Sequence, residues 1–308
     1  MISTIDSRAA AEPAAAPDAR ITAYVFERIF GHGPGRVRHV PGTLTLLNSG
    51  PAHTGRANAG RALTVAIPWG AIVALGAGPL DLYSMNHHAD RHTEGVPPGW
   101  AVPALAALHA HGVYAAQMVV NRELPVETGL PNGAETFCAV SQALQDLHGL
   151  PALREADGDR PAYMTALHAQ RGKALIVNGI GPVEHVPCDL VAAGLRFLII
   201  EAGVRGSVPA ARCHRLLVDT AAAALRARDL NSFGTLLDRG HVRGQRALDL
   251  ALDSAREAGA LGGLVVGRCA VALVPVTAVH RVRKSVKASL AGLARRPPRF
   301  LTAVPAGR

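Results

Sequence analysis

At 308 residues, 49% hydrophobic and 18% charged, the chain is long enough to bury the core of one large domain or two ordinary ones. Its formal charge is +9, carried almost wholly by arginine, since the lysines are limited to Lys173, Lys284 and Lys287. General basicity attracts anions without specificity, and no zinc-finger spacing or aromatic-plus-basic platform accompanies it, so nucleic acid is not an expected partner.

The cysteines Cys138, Cys188, Cys213 and Cys269 are far apart in apolar surroundings and read as reduced core residues rather than a disulfide framework or a metal site. No run approaches about 18 uninterrupted apolar residues, so no membrane span is expected. Residues 1–20 are Ala/Pro-rich and lack a basic segment followed by a compact apolar one; they are expected to form a disordered tail on a cytoplasmic protein.

From there the first predicted element is a helix over 21–30, with Ile21, Tyr24, Val25 and Ile29 near helical spacing. His39-Val40-Pro41-Gly42 breaks the pattern, and Leu44, Leu46 and Leu47 make a short strand before the turn Asn48-Ser49-Gly50-Pro51. Two strands, 62–67 and 71–75, flank Pro68-Trp69-Gly70, and a third covers 80–85. Residues 86–99 read as a loop and 100–110 as a helix.

A strand-like run, 117–120, then leads into Pro125-Val126-Glu127-Thr128-Gly129-Leu130-Pro131-Asn132-Gly133-Ala134-Glu135-Thr136, and a helical pattern over 137–147 leads out. A Gly-rich turn between strand and helix gathers free backbone N–H groups at the positive end of the helix dipole, a natural place for phosphate. Beyond it lie a polar connection (150–161), one or two helical turns (163–168) and a strand (173–177). The strongest strand signal is 195–201. Helices follow over 209–228, 232–239 with Asn231 as N-cap, and 246–258. Strands 264–266 and 269–274, a basic helix over 279–294 and an edge strand over 299–304 close the chain. The elements alternate without a βαβ rhythm, which predicts an α+β fold, and a boundary near 177–187 divides it into domains 21–180 and 181–308.

The order of these segments resembles the GHMP kinase superfamily, galactokinases above all. Residues 39–48 resemble its first motif, APGRVNLIGEH. Residues 125–136 resemble the phosphate loop PxGxGLSSSAAL, and 195–201 a strand of type LLVVDT. Residues 232–241 resemble the segment fG.LM..SH, 262–274 the third glycine motif, and 298–305 the galactokinase tail. The resemblance implies a two-domain fold with an interdomain cleft, ATP and Mg2+, and a sugar-like substrate. It assigns nucleotide binding to Gly129, Leu130, Asn132, Gly133, Ala134, Gly262 and Gly263. Thr43, Asn48 and His53 fall on the substrate side.

The motifs depart from that pattern where phosphoryl transfer needs them. Transfer rests on positioning and charge stabilisation, yet Thr43 stands where the family has Arg. Ser49, Gly50 and Ala52 replace the sugar-binding acid and histidine positions. The serine run becomes Pro131, Asn132 and Gly133; Pro131 lacks a backbone donor, and Glu135 brings a competing carboxylate. The catalytic Asp aligns near Pro161-Ala162, so Asp157 and Asp159, just before it, are the candidate general bases or Mg2+ ligands, against a solvated acidic turn. Arg160 and Arg268 are candidate cations or structural arginines.

His88 and His92, with Asp90 between, have metal spacing on loop-like flanks. Ser207 and His241 lack a nucleophile-elbow context. Arg281, Arg283, Lys284, Lys287 and Arg295 form a basic helix face, for an anionic partner or for solvent. Two functions stay open: a divergent ATP-dependent phosphotransferase acting on a hydroxyl of a sugar or cyclitol, for which ordinary galactokinase activity is not expected, and a pseudokinase that binds a small ligand or a protein and needs no cofactor.

Overall fold

The computed structural model describes residues 16–50, 60–151, 159–205, 208, 213–293 and 296–307. After helix α1 (Pro17–Phe30), strands β1 (Arg36–Asn48) and β2 (Arg61–Gly76) form a long antiparallel pair. β3 (Asp81–Ser84), β4 (Gln117–Arg122), β5 (Lys173–Asn178) and β6 (Glu184–Pro187) complete the first sheet in the order β3-β4-β2-β5-β6. β4 pairs with residues 71–76 of β2 and β5 with residues 61–64, so one strand carries both neighbours.

Period-two alternation divides the faces of this sheet. Val73, Leu75, Met118 and Val120 pack with α2 (Val102–Ala110) and α3 (Ala134–His148), and Ala166 of α4 (Arg160–His168) joins that cluster. Ala74 and Val119, on the other face, meet Phe26 of α1.

The second sheet holds β7 (Leu195–Glu201), β8 (Gly262–Val266), β9 (Cys269–Pro275) and β10 (Arg299–Ala303) in the antiparallel order β10-β7-β9-β8. In β7, Phe197 and Ile199 pack with α5 (Arg215–Arg226) and α6 (Leu230–Gly240) through Val218, Leu225 and Phe233. Leu198 and Ile200 pack the other way, on α7 (Arg246–Glu257) and α8 (Val279–Ser289). The cluster around Phe197 also contains Leu44, Leu46, Leu63, Val65 and Ile176, so one apolar core joins the two sheets. This is an α+β fold. Among the described residues no helix is long and apolar enough to cross a membrane.

Several expectations change. α1 begins at Pro17, inside the expected tail; proline suits the first helical position, where its N–H would be unpaired, and Asp18 suits the dipole. Residues 1–15 lie outside the described residues. Pro41-Gly42 and Pro68-Trp69-Gly70 do not break strands. Pro41 pairs with Gly70 and Gly42 with Ile67, leaving Pro68 and Trp69 as a bulge, where Pro68 has no N–H to give a ladder bond. The backbones close in there: a Cβ on Gly70 would lie 2.0 Å from the Val40 carbonyl oxygen.

α6 is capped by Asp229, not Asn231, through the Ser232 N–H at 2.9 Å. α5 starts at Arg215 and α8 stops at Ser289, both shorter than the patterns predicted. β6 carried too little hydrophobic signal to be predicted, and it keeps the chain in the first sheet as far as Pro187.

Candidate ligand-binding cleft

The cleft is built where the turn before α3 meets the hairpin between β8 and β9. β4 delivers the chain to a short 3-10 turn, Val126–Thr128, followed by Gly129 at φ +64°. Thr128 ties this turn to itself: its hydroxyl donates to the Pro125 carbonyl at 2.6 Å and accepts the Leu130 N–H at 3.2 Å. α3 opens after Gly133, at φ +91°, with the Pro103 ring packed close behind.

Two side chains then take up amides at the helix start. Asn132 Oδ1 accepts the Ala134 N–H at 3.0 Å, and Glu135 Oε1 accepts the Gly133 N–H at 3.4 Å. Glu135 is 4% exposed. Burial pushes its pKa up, against the pull of its own N–H, the Arg122 charge and the N–H groups of Gly133 and Asn132.

The hairpin closes directly on this turn. Gly267, at φ +59°, sits so near that a Cβ there would lie 2.5 Å from the Gly129 carbonyl oxygen. The Arg268 N–H donates to the Thr128 carbonyl at 2.8 Å, and its guanidinium donates to the Val126 carbonyl. Cys269 Sγ lies 3.5 Å from the Thr128 carbonyl oxygen, and burial pushes its thiol up to about 12.

Beside this contact lies a cavity of about 250 Å³. Gly129, Leu130 and Asn132 form one wall, residues 264–267 a second, and Thr43, Thr45, Asn48 and Asp159 supply the other polar groups. Asp159 is the only acidic or basic side chain among the described lining residues. It caps α4, its carboxylate accepting the Ala162 N–H at 3.4 Å, and Thr43 donates to the Ala162 carbonyl at 3.5 Å. Asn48 Oδ1 accepts the Gly50 N–H at 3.1 Å, and its carbonyl accepts the Cys213 N–H at 2.9 Å.

Of the predicted site residues, Asp159, Thr43, Asn48, Gly129, Leu130 and Asn132 come together in this cavity, and Gly133 and Ala134 sit at the start of α3 without lining it. Asp157 and His53 lie outside the described residues, as do Ala52, Ser207 and Arg295. Gly262 and Gly263 do not reach the cavity. A Cβ on Gly262 would lie 1.9 Å from the Gly234 carbonyl oxygen, and the Gly263 N–H donates to Asp238 at 2.7 Å. Those glycines serve the contact of β8 with α6; Leu264, Val265, Val266 and Gly267 do the lining.

Arg160 spends its guanidinium on the carbonyls of Asn178 at 2.9 Å and Gly181 at 2.6 Å. His88 meets the Tyr83 hydroxyl at 2.7 Å, and His92 is buried. Among the described residues no three His, Cys, Asp or Glu side chains gather. His241 pairs with Asp249 at 2.8 Å. On α8, Arg281 donates to the Ala258 carbonyl, while Arg283 and Lys287 lie over the Phe300 ring. Thr45, Gly240 and Cys213 also line the cavity, and no local sequence signal marks them for it. Cys213 is not the core residue its apolar neighbours suggest; its half-buried thiol, raised in pKa by burial, has one side on the cleft.

No family profile matches the chain, and no curated protein matches it by sequence. Solved structures do. A Lactococcus lactis galactokinase complexed with galactose superposes with a TM-score of 0.78 at 18% identity, covering 94% of this chain and 98% of its own. A putative sugar kinase from Campylobacter jejuni gives 0.60 at 14%, covering 89% and 97%. Homoserine kinase from Cytophaga hutchinsonii gives 0.59 at 15%, covering 88% and 96%. The fold is that of the GHMP kinases. Within it, this chain is galactokinase-like in architecture.

Proposed function

We propose that the cavity binds a small, neutral, hydroxylated ligand, a sugar or cyclitol. On this reading the chain is a ligand-binding relative of the kinases that does not transfer phosphate efficiently. The observation that carries it is the lining: hydroxyl, amide and carboxylate groups from Thr43, Thr45, Asn48, Asn132 and Asp159 against an apolar floor of Leu130 and residues 264–266. Such groups hydrogen-bond hydroxyls, and the single carboxylate among them can accept from a hydroxyl of a neutral ligand. A volume of about 250 Å³ suits a small molecule. The galactose complexed with the L. lactis galactokinase supports the same ligand class.

ATP with Mg2+ fits this lining poorly. No Lys or Arg is found among the described lining residues, and Asp159 is the one carboxylate among them, fewer than a hard cation takes. Backbone amides at the turn are already engaged by Thr128, Asn132 and Glu135. A second reading, a divergent ATP-dependent phosphotransferase, is favoured by Asp159 itself. A general base must lie within reach of the hydroxyl proton it takes, and a carboxylate in the cavity meets that condition.

Calorimetric titration with hexoses and inositols, beside a coupled Mg2+-ATP transfer assay, tests both. Saturable binding that is lost in D159N and T43V, without turnover, is the expected result. No saturable binding of any such ligand would sink the first reading. Turnover abolished by D159N would establish the second.

A further inference from the structure

We propose that Glu135 is a built-in occupant of the phosphate turn, its carboxylate standing where an anion would sit and keeping phosphate groups out of the cleft. The inference rests on the reading of the cleft as a kinase-derived site, but not on the identity of its ligand.

An acidic residue in a first helical turn is ordinarily a solvated side chain in a favourable dipole. Glu135 is different: it is 4% exposed, and it turns back to accept the Gly133 N–H. Asn132 takes the next amide, at Ala134. Pro131 has no amide to give. The Gly133 and Ala134 donors at this helix start are therefore used internally.

Charge works in the same direction. A phosphate at this helix start would lie beside a buried carboxylate, where low dielectric strengthens repulsion. The positive charge that acts on Glu135 is that of Arg122, at the end of β4. Arg268, the cation closest to Gly129, is directed at the Val126 carbonyl. Nothing else among the described lining residues offers a positive charge to an incoming anion. The ligands this cleft admits are thus free of phosphate, and phosphorylated sugars are rejected at the turn.

The test is calorimetry with inorganic pyrophosphate and with Mg2+-ADP on the full chain and on E135S, E135Q and E127Q. Glu127 is an exposed carboxylate in the same turn and serves as the control. The expected result is no saturable binding by the wild type and by E127Q, and a gain of about tenfold or more in E135S, by the size of a helix-terminus charge effect. E135Q removes the charge but keeps the bulk, so its gain is smaller; it carries the test if E135S does not fold.

Equal binding by wild type and variants overturns the proposal. So does tight wild-type binding that the variants lose, which would make Glu135 a ligand rather than a plug. Absence of binding in every folded variant overturns it too. Absence of saturable sugar binding by the wild type would instead strike the reading of the ligand and leave this result standing.

Discussion

The two sides of the cleft are built from similar materials and put to opposite use. On the side of the α3 turn, Thr128, Asn132 and Glu135 take up the amides of Leu130, Ala134 and Gly133, and of the three acceptors only Asn132 borders the cavity. On the side of β1 and α4, Thr43, Asn48 and Asp159 also make local bonds, yet each still borders the cavity. Hydrogen-bonding capacity does not by itself make a binding wall. A wall binds when its groups keep acceptors or donors to spare after the fold has used them.

The largest expected effect comes from separating the two halves. Gly267 touches the Gly129 carbonyl in a left-handed conformation, so G267V must both strain the backbone and push the hairpin off the turn. A loss of about 3 kcal/mol is expected, read by chemical denaturation. A shift below a few tenths would show that the contact does not hold the cleft shut. R268A, which removes the bond to the Val126 carbonyl, is expected to cost about 1–2 kcal/mol in the same measurement.

The buried carboxylate offers a finer test of the turn side, through pH. The folded pKa of Glu135 is raised above its ordinary value of 4.5, so the unfolded chain releases its proton first. Between the two values the folded state holds more protons, and stability falls as pH rises until the folded carboxyl has also ionised. E135Q cannot titrate. Its stability relative to wild type should therefore be least favourable below pH 4.5 and improve toward neutrality. Arg122 opposes the trend, and neighbouring Tyr163, whose own pKa is raised by burial, Cys138, Asp159 and Glu135, titrates far above the window. Urea midpoints for both proteins across pH 4–8 check it; a constant gap would mean that the Glu135 carboxyl has the same pKa folded and unfolded.

Much of this was legible from residues alone where the signal is local. The limits of β7, the start of α7, the glycine turn before α3 and the last edge strand follow from alternation, caps and glycine spacing. What was not legible depends on partners distant in the chain. Pro41 and Pro68 look like breaks until the two strands face each other, when they fall at one shared bulge. Gly262 and Gly263 look like phosphate glycines until α6 is placed against them. Glu135 was legible as a misplaced charge; that it folds back onto Gly133 needed the burial imposed by the surrounding helices.

Asp159 gives the smallest expected effect on stability and the sharpest separation of the two walls. Its carboxylate caps α4, and asparagine caps a helix about as well, so D159N should fold with stability within about 0.5 kcal/mol of wild type. The same change replaces one acceptor oxygen facing the cavity by a donor and removes the only charge among the described lining residues. Affinity for the hydroxylated ligand should therefore fall by about tenfold, the worth of one hydrogen bond to a charged group, while the denaturation midpoint stays put. Equal losses in both measurements would make Asp159 a cap and nothing more, and the open wall would then be as self-satisfied as the closed one.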